Sequence, residues 1–208
     1  MKQKQDYIKD IAEIRSIMER SSKFLSLSGW AGILAGIYAL LGAYIAYTKF
    51  NFRPDTIFYR AMDLENLSYN LPQVLLLGFI ILILSLITAI VLSWKKAHKK
   101  GEKIWNATSK RLLIHMSVPL VTGGVLVLIL ISNGLLGLIA PFTLLFYGLA
   151  LYNAGKFTID EVKFLGMVQI GLGLMGSYYL EYGLLLWAVG FGLVHIVYGV
   201  YMYFRYER

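Results

Sequence analysis

Six apolar runs, each close to the ~20 residues a helix needs to cross the hydrocarbon of a bilayer, punctuate this chain at 29–47, 72–94, 112–132, 135–153, 162–180 and 183–204. Each is predicted to be a helix, because only helices and closed barrels satisfy backbone N–H and C=O groups in lipid. The third and fourth runs meet at "ISNGLL" and the fifth and sixth at "YYLEYGLL". Connections that short force antiparallel neighbours. The predicted architecture is all-α: a polytopic membrane domain over 29–208, with six transmembrane helices arranged as three in-out-in hairpins.

Two stretches lie outside these runs. Residues 1–28 read as a cytoplasmic amphipathic helix, with Tyr7, Ile11, Ile14 and Met18 on one stripe and charges between them. That stripe fits a helix lying on the inner leaflet or a short coiled-coil seam, and its charge makes a cleaved signal peptide unexpected. The outer loop, 48–71, contains "RPDTIFYRAMDL", which fits a short surface-lying helix begun at Pro54 and Asp55.

Composition supports the membrane reading. The 208 residues are 58% hydrophobic and 15% charged, against about 25% charged in a typical soluble domain. Net charge is +8, and its placement matters more than its size. Of the 20 Lys and Arg, 17 fall in 1–28, in the basic loop 95–111, at Lys156 and Lys163, and at Arg205 and Arg208. Those segments share one side of the expected topology, so the positive-inside rule puts both termini in the cytoplasm. The basic character is then a topology signal with some attraction to anionic lipid. No fold that interleaves aromatic and basic residues for nucleic acid accompanies it. Cysteine is absent, which removes disulfides and thiolate chemistry.

Small residues mark expected helix contacts. Ser28, Gly32 and Gly36 form one row on span one, and Ala31, Ala35, Ala39 and Ala43 a neighbouring one. Gly166, Gly173 and Gly176 repeat the device on span five, and Gly199 offers a close-approach point on span six. Such rows let backbones approach where lipid supplies no hydrophobic drive. The partner is either another span or a second copy of the chain, packed through span one or the N-terminal helix. The last two hairpins also share a spacing, Gly124 to Gly134 and Gly173 to Gly183, as a parallel duplication would produce. Pro119 and Pro141 each remove a backbone donor inside a run, so kinks are expected there.

The candidate chemistry is sparse. From Arg111, His115 lies about 6 Å inside the inner boundary, and from Arg205, His195 lies about 15 Å in, at ~1.5 Å per helical residue. That difference in depth argues against a bis-histidine haem. Neither histidine has a carboxylate or second imidazole three or four residues away, as a helical metal site would require. Burial disfavours the charged form, so His195 is expected to be neutral. Phe191, Tyr198 and Gly199 surround it at helical spacing. A structural hydrogen bond, a ligand or proton-linked site, and a metal or redox centre are the three readings open to it. Gln169 reads as an interhelical hydrogen-bonding residue. Thr158 and Glu161 fit a capping box opening span five. No catalytic constellation is present, and no cofactor or resident metal is expected.

The stretches "IRSIMERSSKFLSLSGWAGILAGIYALLGAYIAY" and "LLLWAVGFGLVHIVYGVYMYFRYE" resemble a family of uncharacterised bacterial six-span membrane proteins. The resemblance implies a bacterial inner-membrane location and carries over no activity and no functional residue. Two functions from different classes follow. One is binding or transport of a small solute in a bundle cavity between the kinked third and fourth spans and the sixth, lined by His195, Gln169, Tyr198 and Tyr201, with His115 a further candidate. The other is an accessory, sensory or scaffolding subunit working through the N-terminal helix. A haem or metal protein is a third.

Overall fold

The computed structural model describes residues 27–52, 64–99, 101 and 105–208, with the backbone alone for 64–70. The expected N-terminal helix and the core of the outer loop lie outside the described residues. Among the described residues six helices follow one another: α1 Gly29–Thr48, α2 Leu64–Lys99, α3 Ala107–Ser132, α4 Ile139–Ala154, α5 Asp160–Tyr178 and a composite α6. Helix α6 is α-helical over Gly183–Trp187, π-helical over Ala188–Val194 and α-helical again over His195–Tyr206. No strand occurs among the described residues. All but α5 are, by length and composition, apolar enough to cross a membrane. Helix α5 falls short because Asp160, Glu161 and Lys163 open it.

The chain order is not the packing order. Helix α6 is the centre, with α1 on one side and α4 and α5 on the other; α2 packs outside α1, and α3 outside α4. The expected third hairpin is therefore loose, since α5 packs chiefly on α4. Glycine decides both main interfaces. A Cβ built on Gly199 would lie 2.5 Å from the Gly29 carbonyl oxygen and 2.7 Å from the Ile33 nitrogen, so α1 and α6 touch backbone to backbone. Gly32 and Gly36 face the same helix, against Gly199 and the Gly192 carbonyl. The glycine face of α1 is thus filled within the chain by α6. Gly148 and Gly166 meet reciprocally between α4 and α5, Gly173 crosses the backbone of Pro141 and Leu145, and Gly176 packs on the Pro141 ring.

The turn after α3 has a defined cause. Asn133 caps the helix, and Gly134 follows at φ +70°, a conformation that costs glycine little. Gly134 N–H donates to the Ile131 carbonyl and Leu135 N–H to the Leu130 carbonyl, the paired bonds of a Schellman motif. Its counterpart in the apparent duplication, Gly183, instead starts a helix at φ −54°. Gly124 has open space beside it, whereas Gly173 is pressed against α4. The shared glycine spacing therefore does not correspond to shared structural roles.

The prolines also divide. Pro119 stands inside the continuous helix α3. Pro141 is the third residue of α4, within the first turn, where backbone N–H groups lack intrahelical acceptors in any case. The helix follows directly on a 3-10 turn at Leu136–Leu138, and the Pro141 ring fills space against Gly176. Helix α5 opens after Ile159, and its Glu161 carboxylate is held by the end of α6. The Tyr206 hydroxyl donates to Glu161 Oε1 at 2.8 Å, and the Arg205 guanidinium stands 3.5 Å away.

At one end of the bundle the start of α1, the end of α2 and the chain's C-terminus join. Glu207 Oε1 accepts from the Gly29 N–H at 2.7 Å and from Lys96 Nζ at 3.0 Å. Lys96 donates as well to the Leu27 carbonyl. The apolar core proper lies among α3 to α6, built from Leu112, Leu151, Ile159, Val162, Leu165 and Met202.

Candidate functional site

Three helices bring polar side chains to one buried point. Tyr147 comes from α4, Gln169 from α5 and His195 from α6. His195 Nε2 lies 3.0 Å from the Tyr147 hydroxyl, and Nδ1 lies 2.8 Å from the Gly190 carbonyl oxygen. Gln169 Nε2 donates to that same carbonyl at 2.8 Å and lies 3.3 Å from Nδ1. Gln169 and His195 are both buried.

The tautomer follows from the partners. A carbonyl only accepts, so the 2.8 Å contact requires the proton on Nδ1. Nε2 is then the acceptor, and the Tyr147 hydroxyl donates to it. Flipping the Gln169 amide would set two carbonyl oxygens 2.8 Å apart, so the orientation with Nε2 on Gly190 stands. The Gly190 oxygen thereby accepts from two side chains.

The π-helical segment makes this geometry. In an α-helix, side chains reach back three or four residues, and Gly190 precedes His195 by five. The i→i+5 repeat of a π-turn brings those two positions into register. Gly190 must also lack a side chain, because a Cβ there would fall 2.6 Å from Gln169 Oε1 and 2.5 Å from Leu144 Cδ2. One face of α6 thus presents Gly192 and Gly199 to α1, while Gly190 and His195 face α4 and α5.

Aromatic rings close the site on one side. Phe191 stacks on His195 at 5.8 Å between centroids, and Trp187 and Tyr147 each lie 5.0 Å from Phe191. Two buried polar atoms have no hydrogen-bond partner among the described residues: Gln169 Oε1 and the Tyr198 hydroxyl. Native interiors leave few such atoms, and each one asks for a water, an ion or a ligand.

Of the residues singled out in the sequence, His195 and Gln169 meet directly, and Tyr198 lies one turn beyond His195. Tyr201 does not join them: it is 45% exposed and accepts a hydrogen bond from Arg205. His115 is exposed on α3 and stacks on Phe157 at 4.7 Å, taking no part in the cluster. Both ring nitrogens of His195 are committed to protein partners, which leaves neither free for a haem or metal ion without rearrangement. Tyr147 and the Gly190 carbonyl are the participants the sequence reading missed. The closely spaced glycines of "AVGFGLVH" were the available signal for the second; nothing in the "LLFYGLA" around Tyr147 set that tyrosine apart.

Replacing Tyr147 by phenylalanine keeps the ring contacts and strands Nε2 as a buried acceptor. The expected cost is about 1–3 kcal/mol, to be measured by equilibrium unfolding in mixed micelles. Wild-type stability in Tyr147→Phe would show that the hydroxyl–imidazole bond contributes nothing.

Fold and site together define an all-helical protein with five helices of membrane-spanning length and apolarity, and a buried histidine-centred polar cluster at the middle of its packing. Beyond that class, no family model, no curated protein and no solved structure matches the chain.

Proposed function

We propose that the chain is a six-span bacterial inner-membrane protein, both termini cytoplasmic, that binds or carries a small solute at the Tyr147–Gln169–His195 cluster. Five helices qualify as spans on composition alone. Helix α5, packed along α4, crosses as the sixth with its charged first turn at the boundary. The cytoplasmic assignment rests on the distribution of Lys and Arg. The start of α1 and the ends of α2 and α6 meet through Lys96, Glu207 and Gly29, consistent with that parity.

One observation carries the functional reading. Gln169 Oε1 is buried beside His195 and, like the Tyr198 hydroxyl, has no hydrogen-bond partner among the described residues. Its open valence is an acceptor, so the solute that fits is a small hydrogen-bond donor such as an amide, a polyol or an amine. A buried acceptor left unmade costs ~1–3 kcal/mol, and a donor-bearing solute recovers that free energy.

Native mass spectrometry from nanodiscs incubated with small amides, polyols and amines tests this. The wild type is expected to retain one of them and Gln169→Leu to retain none. Leucine is of similar size and removes the orphan acceptor together with the donor to Gly190, whose carbonyl keeps its bond from His195, and circular dichroism checks that the variant is folded. Identical adduct patterns for the two proteins would overturn the reading.

A further inference from the structure

Two pairs of helices are locked backbone to backbone, and the seam between those pairs is not. Glycines bring α1 against α6 at Gly32, Gly36 and Gly199, and α4 against α5 at Gly148 and Gly166. Beyond His195, α6 meets α5 through long side chains. Two facing rows make this seam. On α6, His195, Tyr198, Met202 and Tyr206 recur at three- and four-residue intervals, one face of a helix. On α5, Glu161, Leu165 and Gln169 recur every four residues. Polar contacts tie the rows at both ends. At the deep end Gln169 Nε2 lies 3.3 Å from His195 Nδ1. At the mouth the Tyr206 hydroxyl donates to Glu161 Oε1 at 2.8 Å, and the Arg205 guanidinium stands 3.5 Å from the same oxygen. Between them Met202 and Leu165 belong to one apolar cluster. The two unpartnered polar atoms, the Tyr198 hydroxyl and Gln169 Oε1, belong to the same two rows.

We propose that this seam is the gated entrance to the His195 cluster, closed at its mouth by Glu161 and opened from the C-terminal end of the bundle when Tyr206 and Arg205 let go. The gate rests on the solute reading for what it admits, whereas its opening belongs to α5 and α6 and is measured without solute. The seam is the soft place in the packing. Parting α1 from α6, or α4 from α5, breaks close backbone contacts that no side chain can follow. Parting α5 from the end of α6 costs one charge-assisted hydrogen bond, an exposed ion pair and some apolar burial. Met202, unbranched and adaptable, repacks readily as the gap widens. The start of α6 stays in place, with Gly183 against Gly137 and Pro141. The opening is therefore a swing of the C-terminal half about the π-helical segment, carrying α1 with it.

The chain has no cysteine, so one introduced thiol reports its own site. Met202 is 2% exposed and lies about 4.5 Å deeper than Arg205 at ~1.5 Å per helical residue. The full-length Met202→Cys protein in lipid nanodiscs is treated with a charged, water-soluble maleimide, and the labelling rate follows the open population. Adding Glu161→Ala is expected to raise that rate on the order of tenfold, as loss of a hydrogen bond to a charged group does. Tyr206→Phe breaks the same bond without touching the first turn of α5 and is expected to raise it several-fold. Ala97→Cys, 1% exposed on α2 at the same end of the bundle, is expected to label at a rate that neither change alters. Leu165→Cys, on the opposite wall, replaces Met202→Cys if the latter fails to fold, with the same expectation. Unaltered labelling in the seam, or an equal rise at Ala97→Cys, would overturn the gate. A protein that retains no solute can still open here, and a seam that stays shut leaves the mass-spectrometric result untouched, so the two proposals fail separately.

Discussion

Gly199→Ala is expected to destabilise the bundle by about 2 kcal/mol, while Gly171→Ala, the same change on a neighbouring helix, is expected to stabilise it by about 0.5–1 kcal/mol. The two substitutions add the same methyl group to a helix interior, where alanine is the better helix former by ~1 kcal/mol. They differ in what the methyl meets. At Gly199 it falls 2.5 Å from the Gly29 carbonyl oxygen and 2.7 Å from the Ile33 nitrogen. Those are backbone atoms, which move only if α1 and α6 separate, and separation loosens Gly32 and Gly36 as well. At Gly171 nothing lies within 4 Å. Equilibrium unfolding of both variants in mixed micelles measures the difference. Effects of the same sign would show that α1 and α6 do not approach as closely as described.

The second large effect is expected at the C-terminus. Glu207→Ala removes the acceptor of the Gly29 N–H and the counter-ion of Lys96 together. The two side chains are only 13% and 11% exposed, so solvent compensates poorly. The expected loss is roughly 3 kcal/mol, the lower edge of the range for breaking a buried pair. Lys96→Met alone leaves a buried carboxylate that still accepts from Gly29, and is expected to cost less. The double variant Lys96→Met/Glu207→Leu is expected to recover much of the loss, because an apolar pair of similar volume often equals a buried ion pair. A double-mutant cycle isolates the coupling. Strict additivity of the two single changes would show that the carboxylate and the ammonium act independently.

How much of the candidate site was legible follows from the reach of local periodicity. His195 stands out because an ionisable group in an apolar run is costly, and Gln169 because a buried amide needs hydrogen-bond partners. Their meeting was not legible, since it joins residues on different helices through a carbonyl five positions back along α6. The helical repeat used to look for its neighbours found Phe191 and Tyr198. It passed over Gly190, because a π-turn is a tertiary compromise between two faces of one helix. Tyr201 and His115 are also polar groups in apolar runs, yet the rotation of their helices turns them outward.

The hydrophobic pattern by itself determined that the described chain is helical and where its long apolar helices run. These are local matters: a run of apolar residues either satisfies its own backbone as a helix or leaves peptide dipoles bare. Tertiary structure decided which helices are neighbours. Apolar faces are interchangeable to lipid and to one another, so packing was settled by where two backbones can come within a methyl group of each other. Gly123 and Gly124 show the difference at its smallest scale. They are identical and adjacent in sequence, yet one is packed against Phe146 and the other has open space beside it.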